Sequence, residues 1–172
     1  MKKGNTFIDF KKSESIIEQD KKTILTEEMA VIITTYFLIP IRFRINNVDV
    51  LEFNGDPWLP VPLLNFAIFG YEEFLNIYRK PFTECWLGDT GSKLILEKKG
   101  KKIRVQTSGL PQYVWIDSEE LFYVFTKFVK EVREYLISEI PELIKFEFIN
   151  GWVTGTNVMD YLVKKMDKSQ TI

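Results

Sequence analysis

The side chains that most often move protons or hold metals are nearly missing from this chain. Its 172 residues include no histidine and a single cysteine, Cys85. Histidine is the commonest general acid/base and the commonest metal ligand. A cysteine nucleophile normally needs a base beside it, most often histidine. Cys85, next to Trp86, is therefore expected to be a small buried apolar residue. The adjacent acids Glu27/Glu28, Glu72/Glu73 and Glu119/Glu120 supply carboxylates, and glycoside hydrolysis uses two of them. Neighbours in a helical sequence do not face each other, however, so these pairs read as capping and surface charge. No aspartate-rich loop has calcium spacing. The sequence thus offers no catalytic, cofactor-binding or metal-ligating residue. The reading leans away from an enzyme, and the alternative is a small-molecule-binding protein or an enzyme using Lys, Tyr and carboxylate groups in a pocket between helix and sheet.

Binding chemistry is better represented. Lys98, Lys99, Lys101, Lys102 and Arg104 form a basic cluster that could contact phosphates. The whole chain carries 23 basic and 24 acidic residues, a formal net charge of −1. With that balance and no glycine-rich loop, the cluster reads as a solvated hairpin tip, where lysines also discourage edge pairing. No nucleic-acid partner is expected. The aromatic content is high, with 14 Phe, 7 Tyr and 4 Trp. Most of these belong in a phenylalanine-rich core, with Trp58 and Trp152 as candidates for a binding surface. Arg42 and Arg44 share one strand face, with Asp49 and Glu52 nearby, and can fork onto a carboxylate. Arg42, Arg44, Trp58 and Trp152 are the candidate partner-binding residues, and another protein is the expected partner.

These residues must be positioned by local structure. Ile41, Phe43 and Ile45 alternate with Pro40, Arg42 and Arg44, and Val48 and Val50 resume the pattern after Asn46-Asn47. Asparagine tolerates positive φ, as a two-residue hairpin turn requires. This register places Ile45 opposite Val48, Phe43 opposite Val50 and Arg44 opposite Asp49 as a cross-strand ion pair. Asn54-Gly55-Asp56-Pro57 is a turn. Trp58 to Pro62 is too rich in proline for regular structure. A mostly buried helix runs from Leu63 to Tyr78, with Asn65, Glu72 and Asn76 as its polar stripe and Gly70 admitting a neighbouring strand. Arg79-Lys80-Pro81 ends it. Strands follow at Glu84–Leu87, Lys93–Lys98 and Lys101–Thr107, the last two flanking a Lys99-Gly100 hairpin turn. Asp117 caps an amphipathic helix, with Glu120 at capping-box spacing and Leu121, Phe125, Phe128, Val132 and Leu136 inward, ending near Ile140-Pro141.

The ends are less regular. Thr6 to Phe10 alternates like a short strand, and Lys11 to Lys22 is charged. Val31 to Tyr36 is a β-branched and aromatic run that leans towards strand, despite the helix-start acids Glu27 and Glu28. Phe146 to Ile149 reads as a last strand, with Asn150-Gly151 a turn into Trp152-Val153-Thr154, and Val158 to Met166 as a short helix. No apolar run is long enough to span a bilayer, the lysines at the start are not followed by an apolar stretch, and one cysteine suits a reducing compartment. A cytoplasmic protein without a membrane partner is expected. The whole describes a single α+β domain over 1–172, with about 25 N-terminal and about 15 C-terminal residues peripheral. Its antiparallel sheet carries two main helices on one face.

The stretches Arg42-Phe43-Arg44-Ile45-Asn46-Asn47, Leu63-Leu64-Asn65-Phe66-Ala67-Ile68 and Asp117-Ser118-Glu119-Glu120-Leu121 occur in the order hairpin, apolar helix, strand pair, amphipathic helix. That order resembles a group of small uncharacterised bacterial α+β proteins, some of which are immunity proteins of toxin systems. The resemblance covers about Phe37 to Leu143 and leaves the first 36 and last 29 residues outside. It implies an α+β fold and a protein-binding role, and it carries no catalytic residue across.

Overall fold

In the computed structural model the alternating segments form two four-stranded antiparallel sheets. The structure describes residues 5–13, 18, 20–21, 23–24, 31–32, 36–88, 91–146 and 149–151. The chain divides into two compact units, Met1–Val132 and Arg133–Ile172, and both sheets lie in the first. The α+β class expected from the sequence is what the chain adopts. Among the described residues, no helix is long and apolar enough to cross a membrane.

The first sheet contains β1 (Phe7–Phe10), β2 (Leu38–Ile45), β3 (Val48–Asp49) and β4 (Leu59–Pro62). β2 is central and pairs with the other three. Its strict alternation buries Ile39, Ile41, Phe43 and Ile45 and turns Leu38, Pro40, Arg42 and Arg44 outward. Asn46 and Asn47 have φ of 50° and 71°, the two positive values of a type I′ turn. Ile45 faces Val48 and Arg44 faces Asp49, as the turn chemistry predicted. Val50 donates to the Phe43 carbonyl at 2.7 Å and prolongs the hairpin.

The proline-rich stretch is a correction, because Leu59–Pro62 is a strand. Leu63 N–H bonds the Phe37 carbonyl at 2.9 Å, and the ladder then runs through Val61–Ile39 and Leu59–Ile41. Pro60 and Pro62 occupy the alternate positions, where an N–H would point away from β2. Neither proline therefore removes a ladder bond. Pro40 differs: its carbonyl accepts from Lys11 N–H at 3.0 Å just past the end of β1, and its missing N–H forgoes the return bond at that strand end.

The second sheet runs β5 (Phe82–Trp86), β6 (Lys93–Lys99), β7 (Lys102–Thr107) and β8 (Tyr113–Asp117) in sequential order. Leu94, Leu96, Ile103 and Val105 are buried on its inner face. The β6–β7 turn is Gly100-Lys101, one residue later than expected. Gly100 alone has positive φ, 59°, which fits a type II′ turn with glycine first. β8 went unanticipated: Tyr113-Val114-Trp115-Ile116 is a clear β-forming run, squeezed between the Pro111 break and the cap at Asp117.

The helix after β4 has three parts: α1 (Leu63–Asn65), a π turn (Phe66–Gly70) and α2 (Tyr71–Asn76). A Cβ on Gly70 would lie 3.5 Å from Cys85 Sγ and 3.3 Å from the Phe66 ring. The tight neighbour is thus the Phe66 ring of the same helical segment, while Cys85 of β5 sits at ordinary van der Waals distance. α3 (Ser118–Glu139) starts on Asp117, whose Oδ1 accepts from Glu119 N–H at 2.9 Å. It packs on the first sheet through Phe125–Phe43 and Phe128–Phe10 edge contacts, with centroids 5.7 and 6.0 Å apart. Phe74 of α2 stacks on Phe125 at 4.9 Å, and Phe66 meets both Phe125 and Phe128. These rings account for much of the aromatic content and fill the space between the helices and the first sheet.

Two terminal expectations fail where they can be seen. Val31 and Ile32 are helical, and Tyr36 N–H reaches the Ile32 carbonyl at 3.3 Å, so the local helical bond outweighs β-branched propensity. In the second unit a 3₁₀ turn spans Pro141–Lys145, and Ile149, Asn150 and Gly151 are helical rather than a strand end and turn. Asn150 N–H bonds the Phe146 carbonyl at 2.8 Å. The expected hairpin and helix beyond Trp152 lie outside the described residues.

Candidate functional site

Three of the four sequence candidates fall among the described residues. Arg42, Arg44 and Trp58 come together on the outer face of the first sheet, and Trp152 lies outside the described residues. Arg42 forks onto Asp49, Nε to Oδ1 at 2.7 Å and Nη2 to Oδ2 at 3.0 Å. The expected Arg44–Asp49 ion pair is therefore replaced. Arg44 keeps the register, but Arg42 takes the carboxylate diagonally and Arg44 Nη2 donates to the Asn47 carbonyl at 3.2 Å. The Arg42 guanidinium also lies 5.7 Å from the Phe7 ring and 6.0 Å from Trp58, while Lys11 Nζ sits 4.7 Å over Trp58. Arg42 is thus engaged within the chain, whereas Arg44 Nε is buried without a hydrogen-bond partner.

The outer face of the second sheet is built differently. The register aligns Phe82, Glu97, Arg104 and Trp115 in one row across the strands, and Glu84, Ile95, Gln106 and Tyr113 in the next. Trp86 and Lys93 begin a third row, and Lys99, Lys102 and Asp117 a fourth. Phe82 is 50% exposed, and Trp86 and Tyr113 are each 55% exposed. Cations lie over three of the rings: Lys93 over Trp86 at 4.2 Å, Arg104 over Tyr113 at 5.3 Å and Lys99 over Trp115 at 5.7 Å. Lys93 also pairs with Glu84. Arg104 Nε is 3.2 Å from Glu97 Oε2, close enough for charge pairing, but its N–H is misdirected and stays without a hydrogen-bond partner. Trp115, Ile95 and Arg104 on the same face are partly covered.

Sequence reasoning passed over this surface, although part of the signal was present. Trp86 alternates with buried Cys85, and Lys93, Lys99 and Arg104 sit opposite inward Leu94, Leu96, Ile103 and Val105. The missing piece was β8, which contributes Tyr113 and Trp115. The basic cluster is correspondingly divided: Lys99, Lys102 and Arg104 face outward, whereas Lys98 lies 4.7 Å over the Tyr78 ring.

The inner face offers little acid–base chemistry. Cys85 is buried, its thiol pushed up to about 12 by burial and secondarily by Glu73. Tyr78 is also raised, chiefly by burial, and its hydroxyl donates to the Ser118 carbonyl at 2.9 Å. Thr83 donates to Glu73, which also accepts from Asn76 at 3.4 Å. Among the described residues no group of three or more His, Cys, Asp or Glu side chains is arranged to hold a metal ion. The chain matches no family model, no curated protein and no solved structure.

Proposed function

We propose that this chain is a non-enzymatic binding domain that docks another protein on the outer face of its second sheet. The observation that carries this reading is the set of half-exposed rings of Phe82, Trp86 and Tyr113 beside Arg104. Aromatic residues and arginine are the types enriched at the centres of protein interfaces. The charge pattern favours protein over nucleic acid. Lys93, Lys99, Lys102 and Arg104 are offset by Glu84, Glu97 and Asp117, so the face lacks the cationic excess that neutralises a phosphate chain. An immunity-type inhibitor that blocks a bacterial toxin by occlusion is one form of this function, and it is the form that the resemblance in hairpin and helix order suggests.

The test is affinity capture from the source cell with the wild-type chain and with a Trp86→Ala/Tyr113→Ala variant. A stoichiometric protein is expected on the wild type. Truncating two interface anchors, at roughly 2 kcal/mol or more each, should remove it. The variant should keep the wild-type thermal midpoint, because both rings are more than half exposed. Equal capture by both proteins, or no stoichiometric partner on the wild type, would overturn the proposal.

A further inference from the structure

The strand edges of the two sheets are not equally protected. β4 turns Pro60 and Pro62 outward, so its free edge lacks donors at both positions. The outward carbonyl of Asp49 in β3 accepts from Gln112 Nε2 at 3.1 Å. On β8 the outward carbonyl of Trp115 accepts from Asn46 Nδ2 at 3.3 Å. On β1 the outward N–H of Phe10 is taken by Asp9 Oδ1 at 2.8 Å. Among the described residues β5 has no comparable device. Lys98 N–H bonds the Pro81 carbonyl at 2.8 Å and Leu87 N–H bonds the Ser92 carbonyl at 3.0 Å. These two bonds fix the ladder parity, so that Thr83 and Cys85 bond β6 while Phe82, Glu84 and Trp86 turn N–H and C=O to the free edge. Of these outward groups, only the Trp86 carbonyl has a described neighbour, the Cys85 thiol at 3.4 Å.

The same three residues present their side chains on the outer face. Resting on the docking reading above, we infer that β5 receives an extended segment of the partner protein as a fifth strand. The segment would carry apolar residues beside Phe82 and Trp86 and a basic residue beside Glu84. The charge argument is local. Lys93 engages Glu84 Oε1, leaving Oε2 without a described partner on a side chain that is 39% exposed. Directly opposed residues of opposite charge stabilise an antiparallel pair, and like charges destabilise it. A second copy of this chain fits worse for that reason. The antiparallel register that matches Phe82 to Trp86 across a two-fold axis sets Glu84 against Glu84. Strand addition of this kind draws affinity from main-chain hydrogen bonds and specificity from alternate side chains.

A phage-displayed library of random 12-residue peptides, selected on the immobilised full chain, supplies the probe. Enriched sequences are expected to alternate apolar, any, basic, any, apolar. In synthetic copies read by fluorescence anisotropy, N-methylation of amides of one parity should weaken binding at least tenfold, and methylation of the other parity should not. Glu84→Pro removes an N–H that β6 does not use and should weaken binding at least tenfold at an unchanged thermal midpoint. Glu84→Lys should reverse the preference for a basic central residue, which keeps the inference testable if the proline variant misfolds. Methylation without a parity effect, wild-type affinity in both Glu84 variants, or a library that enriches no sequence would each overturn strand addition. Peptides that need Trp86 and Tyr113 but ignore methylation would do so while leaving docking on the sheet face intact. A parity effect with no dependence on Trp86 or Tyr113 would support strand addition and count against the face.

Discussion

Gly88→Ala tests the junction between the two sheets. Gly88 has φ of +68°, and a Cβ there would lie 2.6 Å from Pro62 Cδ and 3.1 Å from Pro62 Cγ. Two costs therefore combine. The left-handed backbone penalises any side chain with a Cβ by about 1–2 kcal/mol. Forcing a methyl against a ring fused to its own backbone adds about 1–3 kcal/mol, as overpacking does elsewhere. Gly109→Ala separates the terms, because its φ of +81° carries the first penalty while its Cβ would meet nothing within 4 Å. Urea unfolding at 25 °C should place Gly88→Ala below Gly109→Ala by about 1–3 kcal/mol at constant m. Adding Pro62→Ala to Gly88→Ala should recover much of that difference in a double-mutant cycle. Equal losses in the two glycine variants, or a zero coupling energy with residue 62, would refute the steric argument.

Other expectations follow from single contacts. Phe74→Ala removes the ring stacked on Phe125 and touching Tyr71, Tyr78 and Phe122, and should cost about 3–5 kcal/mol by the same urea assay. Asn47→Gly relieves a positive φ of 71° and should raise stability by about 0.5–1 kcal/mol, whereas Asn46→Gly also loses the bond to the Trp115 carbonyl and should gain less or lose, as differential scanning calorimetry would register. Burial pushes the Cys85 thiol from its ordinary 9.0 up to about 12, so native protein at pH 8 holds roughly a thousandfold less thiolate than unfolded protein. Iodoacetamide labelling should accordingly await unfolding. The linkage has a fixed sign: because the folded state holds the proton more tightly, its stabilising effect is complete below pH 9 and fades as pH rises towards 12. Labelling of native protein at the unfolded rate would contradict the burial of Cys85.

Local chemistry read from sequence succeeded where a residue answers to its own backbone. Asn46-Asn47 made the hairpin because asparagine tolerates positive φ, and Asp117 capped α3 because its side chain reaches an orphan N–H. Failures came where the answer depends on a distant partner. Pro60 and Pro62 are compatible with a strand only because of which neighbour β4 faces, a parity set by Phe37 and Leu63. Arg42 displaces Arg44 from Asp49 because sheet geometry favours the diagonal fork. The division of the strands into two sheets, and the exposure of Trp86 and Tyr113, likewise follow from tertiary pairing. Among the candidate residues, the shared face of Arg42 and Arg44 was foreseeable from alternation, whereas the place of Trp58 beside Arg42 was not, and Tyr113 needed β8 to be placed first.

The π turn at Phe66–Gly70 has a mechanical consequence. An i→i+5 turn takes up one residue more than an α turn, so it resets the angular phase of everything after it. Downstream of it, Glu73 reaches Thr83 of β5 and Phe74 reaches Phe125 of α3, two partners on different elements. The turn therefore acts as a vernier that brings one short helix into step with both. Removing a single residue within it would not shorten a rod; it would rotate α2 and disengage both contacts together. Changes of length that the exposed Asn54-Gly55 turn can absorb are the ones this segment should refuse.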